Sequence, residues 1–380
     1  MQQVNLGMIG GGTVGSGVFH ALQLNGDLMA SRIGVKVNVR KVAVKAFDEP
    51  RPYAIPASRM TTDWQSVVHD PQVHIVAELV GGTTLARTMI LAALKLGKPV
   101  VTANKALLSA HGEELFAAAR KHGTNLYYEA SVCGGIPIIK ALREGFVGNR
   151  ITHLYGIVNG TCNYILTRMK LEGADFATVL KDAQAQGYAE AEPSLDIDGH
   201  DALHKIGILA SLAHGFWVKP KDIYVEGIRS ITQTDIQFSN QLGYTIKLLG
   251  IIKKVHRQGI TGKETTATRR SSPARIQVSV YPTLVPNGHV LASVNHVFNA
   301  VFVRGDVVGD TLFYGRGAGE HGCQGFPVQS SADDGDLVIG VIAGKLSRPE
   351  QQPDIFAQHL DRGQPGGEES GANQRVVGEL

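Results

Sequence analysis

Residues 4–22, VNLGMIGGGTVGSGVFHAL, decide how this chain folds. Residues 4–9 form a short apolar run of strand character, which passes directly into Gly10-x-Gly12-x-x-Gly15. Val14, Val18, Phe19 and Leu22 then recur at helical spacing. A strand, a glycine turn and a helix in that order let the backbone approach a pyrophosphate and aim the helix N-terminus at its charge. The plainer reading is a tight turn and nothing more, but a turn directly after the first strand favours a dinucleotide site. Gly10, Gly12, Thr13, Val14 and Gly15 are its candidate cofactor contacts.

Outward from that unit, a second strand is expected over residues 37–44 and ends at Lys45, with no Asp or Glu at its last position. An acid there would hold a ribose 2′-hydroxyl, whereas a cation accepts a 2′-phosphate, so Lys45 favours NADP over NAD. Further strands are expected at residues 73–80, 99–102 and 125–128, with helices at 84–96 and 112–122 between them. Strictly alternating strand and helix predicts an α/β fold with a Rossmann-type doubly wound parallel sheet. Ligands bind at the carboxyl edge of such sheets, which draws attention to the loops 81–84 and 102–105. Lys105, at the end of the second loop, reads equally well as a site residue or as a surface lysine.

After about residue 151 the texture changes. Helices at 162–171, 176–186 and 201–214 are followed by strand-like runs at 276–285, 297–304 and 308–314, the pattern of an α+β substrate domain. The expected division is 1–150, 151–320 and an atypical tail, 321–380. Residues 257–275 read as an exposed polar insertion, and the Gly-, Gln- and Pro-rich residues 345–380 as largely disordered.

Residues 187–205, GYAEAEPSLDIDGHDALHK, carry the chemistry. On a helix over 201–214, Asp201, Lys205, Ile208, Leu209 and Leu212 share an apolar face, while His204, Gly207, Ser211 and His214 fall away from it. A lysine in a buried stripe needs a partner, and Asp201 lies one turn away. An exposed i,i+4 pair would contribute only about 0.2–0.5 kcal/mol and would not displace core residues. Upstream, Glu190, Glu192, Asp196 and Asp198 crowd around Pro193; some are solvated loop acids, yet several could converge on a cationic substrate group.

The chain of 380 residues exceeds one typical core, and 43% hydrophobic with 19% charged residues is the composition of a soluble globular protein. A net charge of +3 with no dense Lys/Arg tract gives no reason to expect a nucleic-acid partner. The 3 cysteines, Cys133, Cys162 and Cys323, form neither a CxxC pair nor an even set, which fits a reducing cytoplasm. No apolar run long enough to span a membrane and no leader-like N-terminus is expected.

With these pieces in order, the chain resembles homoserine dehydrogenase over about residues 3–320. The resemblance is carried by GGTTLAR, GKPVVTANKALLS, YEASVCGGIPIIKALREG, GIVNGTCNYILT, the 187–205 stretch, LGYTIKLLGI, PTLVP and FYGRGAG, in that order. It implies interconversion of L-homoserine and L-aspartate 4-semialdehyde with NAD(P), in threonine and methionine biosynthesis. It also implies that Lys205 is the acid/base group and Lys105 a second active-site lysine near nicotinamide and substrate. Glu190 and Asp201, with Asp196 close by, would be the substrate-binding acids. Gly187 and the turn at Gly317 would contact the cofactor alongside the glycine fingerprint and Lys105. The resemblance further implies a monovalent, sodium-like cation on Glu129 and the backbone carbonyls of Val132, Gly134 and Ile136, where the alternative is a loop acid bonded to backbone amides. It suggests a homodimer through the second domain.

Departures from the family pattern are Glu192, where an Asp is usual, and His296, where a glycine is usual. Beyond Gly319 the family's closing run is replaced by EHGCQGFPVQSSADDGD, and no regulatory ACT domain is recognisable. Two rival functions therefore stand beside the main one: a nucleotide-binding but catalytically impaired homologue, or an oxidoreductase acting on a related amino acid semialdehyde.

Overall fold

The computed structural model of the chain describes residues 1–255 and 275–317. The polar stretch before Arg275 and everything after Gly317, including Ala318, Gly319, Cys323 and the atypical tail, lie outside the described residues.

The first half is built from β1 (Gln2–Ile9), α1 (Thr13–Ile33), β2 (Val35–Ala43), β3 (Met60–Thr61), α2 (Gln65–Val68), β4 (Ile75–Glu78), α3 (Leu85–Lys95), β5 (Val100–Thr102), α4 (Lys105–Lys121) and β6 (Leu126–Tyr127). Its sheet has the order β3-β2-β1-β4-β5-β6, and every pairing is parallel. This is the doubly wound order, whose reversal between β1 and β4 opens a crevice at the strand carboxyl ends. The strands are short apolar runs because helices cover both faces. Leu6, Met8, Val76 and Val100 are buried.

The second half comprises α5 (Ile138–Lys140), β7 (Ile151–Ile157), α6 (Gly160–Glu172), α7 (Phe176–Ala185), α8 (Ser194–Ile197), α9 (His200–His214), β8 (Tyr224–Val225), α10 (Gln233–Gln241), β9 (Tyr244–Val255), β10 (Arg275–Pro286), β11 (Phe298–Gly305) and β12 (Gly309–Arg316). Its sheet has the order β12-β11-β7-β9-β10-β8 and is antiparallel except at β8. Helices α6 and α9 lie against this sheet, and α9 also packs on α4. One apolar cluster therefore runs without a break from Val76 and Leu115 of the first half to Ile206 and Ile252 of the second.

Three expectations are corrected here. The helix expected at 112–122 begins seven positions earlier, so Lys105 is not a loop residue but the first residue of α4. Helix α9 has no open polar face at Gly207 and Ser211, since both are buried. The Ser211 hydroxyl donates to the Gly207 carbonyl at 2.7 Å and accepts from the Val218 amide at 2.9 Å, which satisfies it inside the core. Strands β7 and β9, which were not anticipated, occupy the centre of the second sheet.

His296 has φ of 57°, the left-handed conformation that glycine adopts without steric cost. Histidine tolerates this region better than branched residues do. Its amide is held by the Thr167 hydroxyl at 3.0 Å.

Candidate active site

The nucleotide crevice starts from the glycines. Gly10 has φ of 108°, and a Cβ placed there would lie 2.5 Å from the Leu79 carbonyl oxygen, so the turn requires glycine on two counts. At Gly15 a Cβ would lie 2.0 Å from the Gly10 oxygen, which holds α1 close under the turn. Gly12 has open space around it and no side chain caps α1. The first amides of α1, with Thr13 and Val14 among them, are thus left for an anion. Lys45 is exposed just beyond β2, whose last residue, Ala43, accepts from the Gly10 amide at 2.9 Å.

The second cluster is assembled from four segments. Helix α9 carries Asp201 in its first turn and Lys205 one turn later, and both are buried, at 2% and 6% exposure. Lys205 Nζ lies 2.8 Å from Asp201 Oδ2 and donates to the Val158 carbonyl at 2.8 Å. Helix α4, N-capped by Asn104, delivers Lys105, whose Nζ lies 2.6 Å from Asp201 Oδ1. A single carboxylate therefore bridges two lysines. Asn159 caps α6 through its Oδ1, while its Nδ2 donates to Asp196 Oδ1 at 2.7 Å and to Asp201 Oδ2 at 3.0 Å.

Electrostatics follow from this arrangement. Burial alone would raise the Asp201 carboxyl, but the two ammonium groups outweigh it and hold the group well below the usual carboxylate range. Burial would lower Lys205, yet the Asp201 charge prevails and places it above the ordinary lysine value. Asp196 is shifted upward, by burial first and by neighbouring Asp201 second. Cys133 and Cys162 are inert by the same reasoning: burial pushes the Cys133 thiol up to about 12 and raises that of Cys162 well above normal.

The acidic loop only partly converges. Asp196 and Asp201 meet at Asn159, whereas Asp198 pairs with Arg229 at 2.7 Å and Glu192 caps Ser194 through its amide at 3.2 Å. Glu190 is exposed between α7 and α8, and among the described residues its side chain joins no ion pair with the lysines. Gly187, with φ of 77°, turns the chain out of α7 towards that loop. At Gly317 a Cβ would lie 2.6 Å from Asn299 Nδ2, so the end of β12 closes tightly on β11.

Glu129 sits in the loop after β6, where its two oxygens accept from the amides of Ile139 at 2.7 Å and Lys140 at 2.8 Å. Burial nevertheless pushes its carboxyl up to about 7, so the two amides leave its negative charge under-compensated. The Ile136 carbonyl already accepts from the Ile138 amide at 2.7 Å. Cys133 and Gly134, with φ of 60° and 43°, reverse the chain between Val132 and Ile136. A buried carboxylate and the carbonyl oxygens of the same loop are hard donors of the kind a monovalent cation takes.

Asn159 was missed in the sequence. Asn159 lies in the quoted GIVNGTCNYILT, and an Asn directly before a helix start is a capping signal that could have flagged it. A fully buried Lys247 supports the same helix: its Nζ donates to Asn163 Oδ1 at 3.0 Å, to Asn295 Oδ1 at 3.1 Å and to the Val294 carbonyl. Burial lowers that ammonium to about 7.

A doubly wound sheet with a glycine turn, joined to an acid that holds two lysines, defines a nicotinamide-dependent oxidoreductase. Residues 10–129 match the model of the homoserine dehydrogenase NAD-binding domain, and residues 137–323 match that of homoserine dehydrogenase. The chain is 44% identical to the homoserine dehydrogenase of Synechocystis sp. over 94% of its own length and 78% of that protein. It is also 44% identical to the Bacillus subtilis enzyme, covering 95% and 81% of the two chains. The crystal structure of a homoserine dehydrogenase from Thiobacillus denitrificans superposes with a TM-score of 0.80 at 39% identity, over 95% of this chain and 75% of that one. The chain belongs to the homoserine dehydrogenase family and is an enzyme of that activity.

Proposed function

We propose that this enzyme interconverts L-homoserine and L-aspartate 4-semialdehyde with NADP, in the route to threonine and methionine, and that Lys205 carries the hydroxyl proton. The observation behind this reading is the Lys205–Asp201–Lys105 bridge, buried at Asp201 and Lys205 and partly open at Lys105. Bound nicotinamide supplies the hydride acceptor and donor. The chain's own residues do the rest. Lys205 accepts the hydroxyl proton of homoserine when neutral and returns it to the aldehyde oxygen when charged. Lys105 lies within reach of the same oxygen and is held by Asp201. Because both Asp201 oxygens already face lysines, Asp201 acts on substrate chiefly by placing those lysines, and the substrate amine falls to Asp196 and Glu190. Homoserine added to the purified enzyme with oxidised NADP or NAD should produce the absorbance of reduced nicotinamide. Absence of turnover with both would overturn the reading.

Several finer assignments belong to the same proposal. Gly10, Gly12, Thr13, Val14, Gly15, Gly187 and Gly317 line the cofactor, and the chain divides near residue 150. Glu129 and the carbonyls of Val132, Gly134 and Ile136 would hold a sodium-like cation, whose charge would offset the buried carboxylate. A homodimer forms through the second sheet on the face turned away from α6 and α9, where Leu312 and Tyr314 are exposed while Phe313 packs into the core. The proposed location is cytoplasmic; among the described residues no helix is long and apolar enough to cross a membrane.

Cofactor choice has its own expected result. Lys45 follows the end of the second strand, where a cation would accept a 2′-phosphate, and a hydrogen bond to a charged group contributes about 1.5–3 kcal/mol. Lys45→Glu is therefore expected to weaken NADP binding about 10–100-fold while changing NAD little, as read by quenching of protein fluorescence. Equal effects on both cofactors would remove Lys45 from the phosphate site.

A further inference from the structure

Glu78, the last residue of β4, is 0% exposed and no cation pairs with it among the described residues. Three donors satisfy it instead. Its Oε1 accepts from the amides of Val80 at 2.9 Å and Gly81 at 3.2 Å, and its Oε2 accepts from the Thr102 hydroxyl at 2.7 Å. A buried carboxylate without a counterion is costly unless its hydrogen bonds are complete, so its retention at this strand end calls for a role.

The bonds lead to one place. The Thr102 hydroxyl that donates to Glu78 also accepts the Asn104 amide at 3.0 Å. Asn104 in turn ties the two edge loops together: its Nδ2 donates to the Gly82 carbonyl at 2.7 Å, and its Oδ1 caps α4 at the Leu107 amide at 3.1 Å. The next residue is Lys105, whose ammonium reaches Asp201. Glu78 thus grips both loops at the carboxyl edge, one directly at Val80 and Gly81 and the other through Thr102, and the second loop is the one that starts the helix presenting Lys105.

We propose that Glu78 is the positioning residue for Lys105, acting through Thr102 and Asn104 to set where the α4 N-terminus delivers the second active-site ammonium. The proposal rests on the assignment of Lys105 to the active site. Glu78→Gln preserves size but replaces an acceptor by an amide that cannot receive both the Thr102 hydroxyl and the two backbone amides. Turnover should fall about 10–100-fold, because small misplacements of a reacting group cost that much.

A double-mutant cycle separates positioning from general damage. Turnover is measured for wild type, Glu78→Gln, Lys105→Met and the double variant, with urea unfolding of each. The expected result is that Glu78→Gln loses activity in the wild-type background and changes it less than about twofold when Lys105 is already gone. Thr102→Val should reproduce the loss and Thr102→Ser should restore turnover, and this pair reads the same link if Glu78→Gln does not fold. Equal losses in both backgrounds, or a Thr102→Val enzyme with normal turnover, would overturn the proposal. A Lys105→Met enzyme with normal turnover would instead overturn the Lys105 assignment itself.

Discussion

Replacement of Lys205 by alanine is expected to lower turnover by about 10²–10⁴-fold, the range typical of a lost general acid/base group, with cofactor affinity nearly unchanged. The expectation rests on position: the Nζ is buried and held at 2.8 Å by both Asp201 and the Val158 carbonyl, which fixes it in place. Lys205→Arg should not rescue activity, because a guanidinium does not release its proton and its planar fork does not fit a site built around a single ammonium. Steady-state rates in both directions, with binding of reduced cofactor by fluorescence, measure these outcomes. Near-normal turnover in a folded Lys205→Ala enzyme would pass the proton to Lys105 or to water and reduce the bridge to a structural ion pair.

The second large effect is expected at Asp201. Asp201→Asn leaves Lys205 buried without its counter-charge, and breaking a buried pair on one side costs about 3–5 kcal/mol of stability. Turnover should fall by about 10²-fold or more, since both lysines lose their anchor. The pH dependence of stability should also change, from a plateau to a slope. In the native enzyme, Asp201 has a depressed pKa, so its contribution is present above the unfolded value and disappears as pH falls through the folded one. Lys205 has a raised pKa, so its contribution is full below the unfolded value and is lost only as pH rises through the folded one. Neutral pH lies between these limits and should be a plateau. In Asp201→Asn the main opposition to burial is gone and only weaker attraction from neighbours such as Asp196 remains, so the Lys205 pKa should fall and stability should decline as pH drops below about 10.4, the unfolded lysine value. Urea midpoints across pH distinguish a plateau from a slope.

What the sequence disclosed depended on how far apart the cooperating residues lie. The glycine turn is local: strand, turn and helix follow each other in a few residues, so periodicity and glycine placement suffice. The Asp201–Lys205 pair is also local, one helical turn, and the buried stripe made it conspicuous. Lys105 is different, because its partner is distant in sequence and only the packing of α4 on α9 brings the charges to 2.6 Å. Its helix start was also misplaced, although Lys105, Ala106, Leu107 and Leu108 favour a helix and Asn104 is a capping residue, so the signal was present but went unread. Strand β9 was overlooked because residues 245–252 are buried on both faces, so the two-residue alternation that marks a half-buried strand is missing. The acidic loop was harder to read: crowding of acids near Pro193 shows that charge is available but not which carboxylates turn inward, and Asn159 ties down Asp196 and Asp201.

The proposed proton path is tested most directly by the pH dependence of turnover in the two directions, measured on the wild-type enzyme and on Lys205→Ala. With Lys205 raised above the ordinary lysine value, the charged form prevails at neutral pH. Semialdehyde reduction, which needs an acid, should stay level through neutrality and fall only at alkaline pH. Homoserine oxidation, which needs the base, should climb tenfold per pH unit over the same range until the lysine titrates. Lys205→Ala should abolish both the alkaline fall and the corresponding bend in the climb. Wild-type profiles that run parallel in the two directions, or that survive unchanged in Lys205→Ala, would contradict the assignment of the proton to Lys205.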